Sequence, residues 1–261
     1  MIPVLGIPFY NREDLLLRCI RSIDHPVDKL VIIDNSPGGL SKSTVEDGYT
    51  VPNAVLVAML NPNIHLSRVI AHPNGGVANA WNEIMKFNPA EWWLIVSNDI
   101  QFSPGDIEKT AKAVNNTMPS PNPDWLPLPA GMFYGNYGAS WYAMTAAALE
   151  RVGMFDENIH PCYLEDCDWA YRAKLLGVPQ VDIPDVRAVH GDEKIVGSCT
   201  IYSDEELRRK NGITHGRNFD YYRRKWGDIN EHEIYKTPFN DPNWPVWAWR
   251  FDPAIRAVQQ W

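Results

Sequence analysis

The sequence predicts an α/β fold in which helices flank a mostly parallel central sheet, followed by an aromatic-rich C-terminal extension. Over the first 115 residues, short apolar runs alternate with helical patterns, as in repeated strand-helix-strand units. The five consecutive apolar residues from Trp92 to Val96 suit a central strand covered on both faces. Ser97, Asn98 and Asp99 follow this run, so a carboxylate is expected at the carboxyl end of the strand, where ligands bind in open α/β sheets.

Each element of this prediction has a local signal. In the first helix, Leu15, Leu16, Cys19 and Ile20 recur at the spacing of one helix face. Strands are predicted at 4–7, 30–33, 68–71 and 92–96, with helices at about 12–23, at 77–87 and from a capping box at Ser103 onward. After a proline-rich loop at 118–131, we expect a strand at 139–144, helices at 145–152 and 165–176, and extended pieces at 178–183 and 187–189.

Composition limits the function classes. The chain has 261 residues, of which 45% are hydrophobic, and no apolar run reaches the roughly 18 residues needed to cross a bilayer, so we expect no integral membrane segment and a cytoplasmic location. A formal net charge of -8 argues against a general nucleic-acid binder. Residues 207–226 nevertheless hold seven Lys or Arg and one acid, which indicates either a solvated helix face or a patch for anionic substrates or peripheral membrane association. The four cysteines are expected to be reduced thiols.

A second cluster of acids lies at Glu165, Asp166 and Asp168, at the start of a predicted helix. Capping of the helix N-terminus explains one or two of these carboxylates, but three in four positions exceed what capping requires. Neighbouring helical residues point about 100° apart, so one acid can face a pocket while the next anchors the helix. A carboxylate held in this way can act as a general base.

The ordered set of motifs resembles the inverting family 2 glycosyltransferases of GT-A fold, including the rhamnosyl and galactofuranosyl transferases, over roughly residues 3–190. The similar segments are Ile7-Pro8-Phe9-Tyr10-Asn11-Arg12, Asp34, the stretch from Asn74 to Ala80, Ser97-Asn98-Asp99, Glu165-Asp166-Cys167-Asp168 and His190. Ser97 departs from the family pattern, because an acid commonly occupies that position. This departure leaves Asp99 as the expected metal ligand of the motif.

The resemblance implies a GT-A domain at 1–190 and an extension at 191–261 that packs on it. Within the domain, 1–117 would bind the nucleotide sugar and 131–190 would bind the acceptor and carry the catalytic acid. The implied nucleotide-binding residues are Pro8, Tyr10, Arg12, Asp34, Asn74, Asn79 and Asn98. Asp99 and His190 would hold Mn²⁺ or Mg²⁺, Asp166 with Glu165 would be catalytic, and Trp141, Tyr142 and Asp168 would bind the acceptor.

The expected function is metal-dependent transfer of a sugar from a nucleotide-sugar donor to a hydroxyl of a glycan, glycolipid or protein. Asp34 would accept a hydrogen bond from the imide N–H of uracil or thymine, which favours UDP- or dTDP-sugars. Two alternatives stay open, a non-catalytic carbohydrate or nucleotide-sugar binder and a sugar-phosphate nucleotidyltransferase, although the latter has a Gly-rich phosphate loop that the 8–13 segment lacks. No Gly-x-Gly-x-x-Gly follows a predicted strand, which argues against a dinucleotide-dependent oxidoreductase.

Overall fold

The computed structural model describes residues 1–45, 48–71, 73–116, 130–229 and 231–252. Its core is a seven-stranded sheet with the strand order β10-β8-β9-β6-β1-β2-β5. These strands are β1 (Ile2–Phe9), β2 (Val27–Asp34), β5 (Ile64–Ala71), β6 (Trp92–Val96), β8 (Met132–Gly135), β9 (Gly138–Thr145) and β10 (Gln180–Asp182). Two small antiparallel pairs accompany it, β3 (Lys42–Thr44) with β4 (Thr50–Pro52) and β7 (Ile100–Gln101) with β11 (Val189–His190).

The part of the sheet that positions the site is parallel. Strands β5, β2, β1 and β6 run in the same direction, whereas β9 pairs antiparallel with β6. The carboxyl ends of β1, β2 and β6 therefore meet at one edge, and residues after Phe9, Asp34 and Val96 leave the sheet side by side. The predicted mostly parallel sheet flanked by helices is thus confirmed.

Helices cover both faces of this sheet. They are α1 (Glu13–Arg21), α2 (Asn53–Met59), α3 (Gly76–Phe87), α4 (Asp106–Asn116), α5 (Ala146–Val152) and α6 (Glu165–Leu175). One core contains residues of α1, α2 and α4, and the other contains residues of α3, α5 and α6. Alternate residues of the central strands point into each core: Leu94 packs into the first and Ile95 into the second. A Cβ at Gly6 would lie 2.6 Å from Ile84, so this glycine allows α3 to approach β1 closely.

The C-terminal extension contains a long helix in the region that the sequence analysis interpreted as either a solvated helix face or a patch for anions. After the short helix α7 (Cys199–Tyr202), helix α8 (Glu205–Trp226) runs for 22 residues, and a 3₁₀ turn follows at Pro238–Asn240. Asp204 caps α8 by accepting a hydrogen bond from the Leu207 N–H at 2.9 Å. Aromatic side chains of α8, including Tyr221, Tyr222 and Trp226, pack against Ile159, Leu164 and Tyr171 in a third core.

Buried charges also join α8 to the sheet domain. Lys225 Nζ lies 2.6 Å from Asp168 Oδ1 and 2.7 Å from Asp156 Oδ2, and all three side chains are almost fully buried. Arg172 Nε donates to Asp168 Oδ2 at 2.9 Å. Lys225 is therefore an internal ion-pair partner and not part of the surface patch expected at 207–226.

Several predicted elements begin or end elsewhere in the structure. The third predicted strand, 68–71, is the end of the eight-residue β5, and the helix expected from Ser103 begins at Asp106. Most of the expected loop at 118–131 lies outside the described residues. None of the helices in the described ranges is long and apolar enough to cross a membrane.

Candidate active site

A cavity of about 260 Å³ opens at the edge where the parallel strands end. Five parts of the chain build its wall: the ends of β1, β2 and β6, the start of α3, the β8–β9 hairpin, the start of α6 with the loop before it, and the C-terminal segment around α7. Ligands in open α/β sheets bind at this edge, because loops from neighbouring strands converge there. Asp99 and Asp166, which are 67 positions apart in the sequence, both line this cavity.

Asp99 and His190 lie next to each other. Strand β7 follows Asp99 directly and pairs with β11, which brings His190 Nε2 to 3.2 Å from Asp99 Oδ1. Both side chains are buried, and His190 Nε2 has no hydrogen-bond partner among the residues that the structure describes. An oxygen and an imidazole nitrogen at this separation are donors that suit Mn²⁺ or Mg²⁺, with Mn²⁺ favoured by the nitrogen. The described residues contain no group of three or more His, Cys, Asp or Glu arranged for a metal, so this pair supplies two ligands at most.

The segment around α7 is bonded to the end of β6. The Cys199 N–H donates to Asp99 Oδ2 at 2.8 Å, and the Thr200 hydroxyl donates to Asn98 Oδ1 at 3.3 Å. Asn11 Nδ2 donates to the Thr200 carbonyl at 2.8 Å. The C-terminal extension thus forms part of the cavity wall, with Ser198, Thr200, Ile201 and Leu207 among the lining residues.

Glu165 and Asp166 begin α6, and both line the cavity. Asp166 is half-buried and accepts a hydrogen bond from the Cys167 N–H at 2.8 Å. Glu165 is buried, and within the described part of the chain its Oε2 has no hydrogen-bond partner. Burial, together with the negative charge of Asp166, raises the pKa of Glu165 well above its usual value.

This raised pKa predicts the pH dependence of a Glu165→Gln variant. A folded pKa above the unfolded value of 4.5 means that the contribution of Glu165 to stability is present below pH 4.5 and is lost as the pH rises. The variant lacks this titration, so its stability relative to the parent should increase above pH 4.5 by up to about 1.4 kcal/mol per pH unit. Urea unfolding between pH 4 and pH 8 measures this difference, with the exposed Glu150→Gln as control. A pH-independent difference would contradict the assignment.

Among the predicted nucleotide-binding residues, four line the cavity: Pro8, Tyr10, Asn74 and Asn98. Arg12, Asp34 and Asn79 do not, because other groups hold their polar atoms. The Arg12 guanidinium forms ion pairs with Asp14 and Asp192, each at 2.8 Å, and Asn79 donates to Glu157 at 3.1 Å.

The Asp34 carboxylate organises its own loop. It accepts hydrogen bonds from the Ser36 N–H at 3.0 Å and the Leu40 N–H at 2.8 Å. The Asp34 side chain therefore bonds within its own loop and does not make the expected contact with a nucleobase. Asn35 lines the cavity instead, and none of the described residues forms a hydrogen bond with its buried Oδ1. The sequence analysis missed Asn35, although it follows directly after the strand end.

The three residues expected to bind the acceptor are internal, so this prediction is wrong in its residues. Asp168 is fully buried and bonded to Arg172, Lys225 and Trp226. Trp141 and Tyr142 are also fully buried, because β9 is covered on both faces and its alternating side chains enter opposite cores. None of the three is among the lining residues of the cavity. The aromatic rings that do line it are Phe9, Tyr10, Trp81, Tyr137 and Tyr163.

Comparisons with known proteins agree with this fold. Residues 5–122 match the model for glycosyl transferase family 2. A mannosyltransferase from Pyrobaculum calidifontis, solved in complex with GDP-Man and Mn²⁺, is similar with 16% identity and a TM-score of 0.54, over 98% of this chain and 68% of that one. No curated protein matches the sequence significantly.

Two further solved structures are similar. TarS 1-349 from S. aureus, in complex with UDP-GlcNAc, has 15% identity and a TM-score of 0.50 over 82% of this chain and 66% of that one. GalNAc-T7 with UDP, GalNAc and Mn²⁺ has 10% identity and a TM-score of 0.53 over 86% of this chain and 50% of that one. The chain thus spans between half and about two thirds of the length of these neighbours. Over residues 5–122 it matches glycosyl transferase family 2, as the motif resemblance predicted, and its fold is the GT-A fold of glycosyltransferases.

Proposed function

We propose that this protein is a metal-dependent, inverting glycosyltransferase that moves a sugar from a nucleotide-sugar donor to an acceptor hydroxyl. The observation that carries the proposal is the convergence of Asp99 and Asp166 on one cavity from separate parts of the fold. Asp99, with His190 beside it, would hold the charge that neutralises the diphosphate, and Asp166 would take the proton of an acceptor hydroxyl.

The donor nucleotide would lie against the strand ends. Asn35 supplies a carboxamide whose Oδ1 lacks a partner, and leaving such a buried acceptor unpaired costs about 1–3 kcal/mol. A nucleobase that donates an N–H to this oxygen would remove that penalty. The imide of uracil or thymine fits, because its N–H and carbonyl match the acceptor and the donors of a carboxamide. UDP- or dTDP-sugars thus remain the expected donors, now through Asn35 and not Asp34.

Asp99 and His190 fit a divalent ion, since the buried His190 Nε2 is unpartnered and faces Asp99 Oδ1. When bound, such an ion supplies positive charge against the negative charge that develops on the leaving diphosphate. The matched structural neighbours solved with Mn²⁺ support this reading. The Cys199 N–H already occupies Asp99 Oδ2, so Oδ1 is the oxygen left to act as a ligand.

Asp166 is the proposed general base. Its carboxylate would take the proton of the acceptor hydroxyl while the oxygen attacks the anomeric carbon and the bond from that carbon to the diphosphate oxygen breaks. The products are the glycosylated acceptor and the nucleoside diphosphate. A single displacement of this kind inverts the anomeric configuration.

An Asp99→Asn variant tests the proposal. Asparagine keeps the size of the side chain and can still accept the Cys199 N–H through its carboxamide oxygen, but it removes the charge. We expect the parent to bind UDP or dTDP about tenfold more tightly with Mn²⁺ than without, and the variant to lose this enhancement. Isothermal titration calorimetry with each nucleotide, with and without Mn²⁺, measures the effect.

The matched control is Asp182→Asn, which makes the same chemical change at an exposed position of β10. It should behave as the parent. Equal Mn²⁺ dependence in Asp99→Asn and the parent would overturn the metal assignment. If the parent bound a nucleotide sugar but never released sugar or nucleotide from it, the alternative of a non-catalytic binder would be favoured.

A further inference from the structure

Tyr163 has an unusual backbone beside the proposed catalytic base. Tyr163 and Leu164 have φ angles of 74° and 81°, in the left-handed region that residues with side chains seldom adopt. Such residues cost about 1–3 kcal/mol each and persist where the surrounding structure holds them. The turn directs the chain into α6, which begins at Glu165.

Asn218 of α8 holds this turn. Its Nδ2 donates to the carbonyl oxygens of Cys162 at 2.9 Å and Tyr163 at 3.2 Å, and its Oδ1 accepts the His160 N–H at 3.3 Å. Asn218 is fully buried. The C-terminal helix therefore fixes the backbone of residues 160–163 with three hydrogen bonds, one of which is to Tyr163.

The ring of Tyr163 is also fixed. It packs on His215 with ring centroids 5.1 Å apart, and His215 packs on Phe219 at 4.7 Å. Burial raises the pKa of Tyr163 to about 12, and its hydroxyl interacts with Ser198. Since Tyr163 lines the cavity and packs on His215, its ring lies between the cavity and α8.

We propose that Tyr163 is the binding platform for the acceptor and that the acceptor is a neutral sugar whose C–H face packs on the tyrosine ring. This inference rests on the proposed function, because it takes Asp166 as the base that receives the acceptor's proton. Tyr163 lies three positions before Asp166, and both line the cavity, so a sugar on the ring would present a hydroxyl to that carboxylate.

The chemistry of the surroundings favours a neutral sugar. The Asp166 carboxylate lines this side of the cavity, which disfavours an anionic acceptor. An aromatic ring held in place loses little conformational entropy on binding, and it offers an apolar face to the C–H groups of a pyranose while leaving the hydroxyls free for hydrogen bonds. Tyr163 thereby takes the role that the sequence had suggested for Trp141 and Tyr142.

Two variants and one control test the platform. Tyr163→Ala removes the ring, Tyr163→Phe keeps it without the hydroxyl, and Tyr49→Ala removes an exposed tyrosine, 72% accessible, of the β3–β4 hairpin. The probes are methyl glucoside, galactoside, mannoside and rhamnoside, examined by saturation-transfer difference NMR with UDP and Mn²⁺ present. Calorimetric titration of UDP with Mn²⁺ is run on each protein.

We expect the parent, Tyr163→Phe and Tyr49→Ala to transfer saturation to the C–H protons of at least one glycoside. Tyr163→Ala should bind that glycoside about tenfold more weakly while keeping the nucleotide affinity of the parent. Equal glycoside binding by Tyr163→Ala and the parent would overturn the proposal, and so would a parent that binds UDP but none of the four glycosides. A parent that binds neither UDP nor dTDP would instead overturn the proposed function, and this inference with it.

Discussion

Replacing Asp166 with asparagine is expected to lower the rate of sugar transfer by about 10²- to 10⁴-fold. The variant can still accept the Cys167 N–H through its carboxamide oxygen, so the start of α6 should keep its structure. What it loses is the ability to take a proton from the acceptor hydroxyl. Nucleotide affinity should not change, because the proposed nucleotide contacts come from the strand ends and not from α6.

The measurement is the rate of nucleoside diphosphate release from a donor identified by its binding, with the exposed Asp182→Asn as control. A general base contributes to the chemical step and not to donor binding, so the loss should fall on kcat and leave the Kd of the nucleotide unchanged. Full activity in Asp166→Asn would refute the base assignment. Loss of both activity and nucleotide affinity would show that Asp166 supports the site in another way.

Replacing Lys225 with methionine is expected to lower the free energy of unfolding by about 3–5 kcal/mol. The Lys225 ammonium lies between Asp156 and Asp168 at 2.7 Å and 2.6 Å, and its removal leaves two buried carboxylates with one fewer positive partner. Methionine has a similar length and keeps the apolar packing of the lysine stem. The effect therefore measures the unpaired charges and not a cavity.

Urea denaturation checks this value, and Lys112→Met provides the control. Lys112 also forms an ion pair, with Glu108 at 2.7 Å, but both side chains are largely exposed. A surface pair of this kind contributes little, so the control should unfold nearly as the parent does. An equal loss of stability in the two variants would contradict the expectation that removing Lys225 is costly because its partner carboxylates are buried.

Acid should reduce the difference between Lys225→Met and the parent. Burial alone would raise the pKa of Asp168, but the charges of Lys225 and Arg172 outweigh this and hold it below its usual value. A depressed folded pKa means that the contribution of Asp168 to stability is present above the unfolded value, about 4, and is lost as the pH falls through the folded value. A protonated carboxyl carries no charge that the Lys225 ammonium could neutralise. The difference in free energy of unfolding between the parent and Lys225→Met should therefore shrink as the pH falls below about 4.

The sheet was largely predictable because its strands are buried and apolar. Trp92–Val96 was predicted with the same bounds that the structure has. For β1 and β2, only the apolar centres, 4–7 and 30–33, were predicted, and the structure extends both strands at each end. The bounds of helix α8 were not predicted, because much of its buried face is polar. Its buried face includes Asn211, Thr214, Asn218 and Lys225, so the helix has no apolar periodicity despite its cap at Asp204 and its glycine at 227. The Ser-Asp-Glu-Glu run at 203–206 was the signal that could have revealed it.

The candidate site was predictable where strand ends define it. Asp99, Asn98 and Tyr10 follow β6 or β1 directly, and all three line the cavity. The predictions that the structure does not support concern the direction in which a side chain points, and the order of motifs along the chain does not determine that direction. Asp34 turns into its own loop while Asn35, one position later, reaches the cavity. The side chains of Trp141 and Tyr142 lie in a strand with no open face.

Helix α8 contributes to both the third core and the cavity wall, so substitutions on it fall into two kinds. Substitutions at its exposed positions should leave the packing of the sheet unchanged. Substitutions at Asn218, which bonds to Cys162, or at Leu207 would affect the cavity wall. Under the proposed function, substitutions at Leu207, which lines the cavity, and at His215, which packs on Tyr163, are expected to change the selectivity for the acceptor through a single helix.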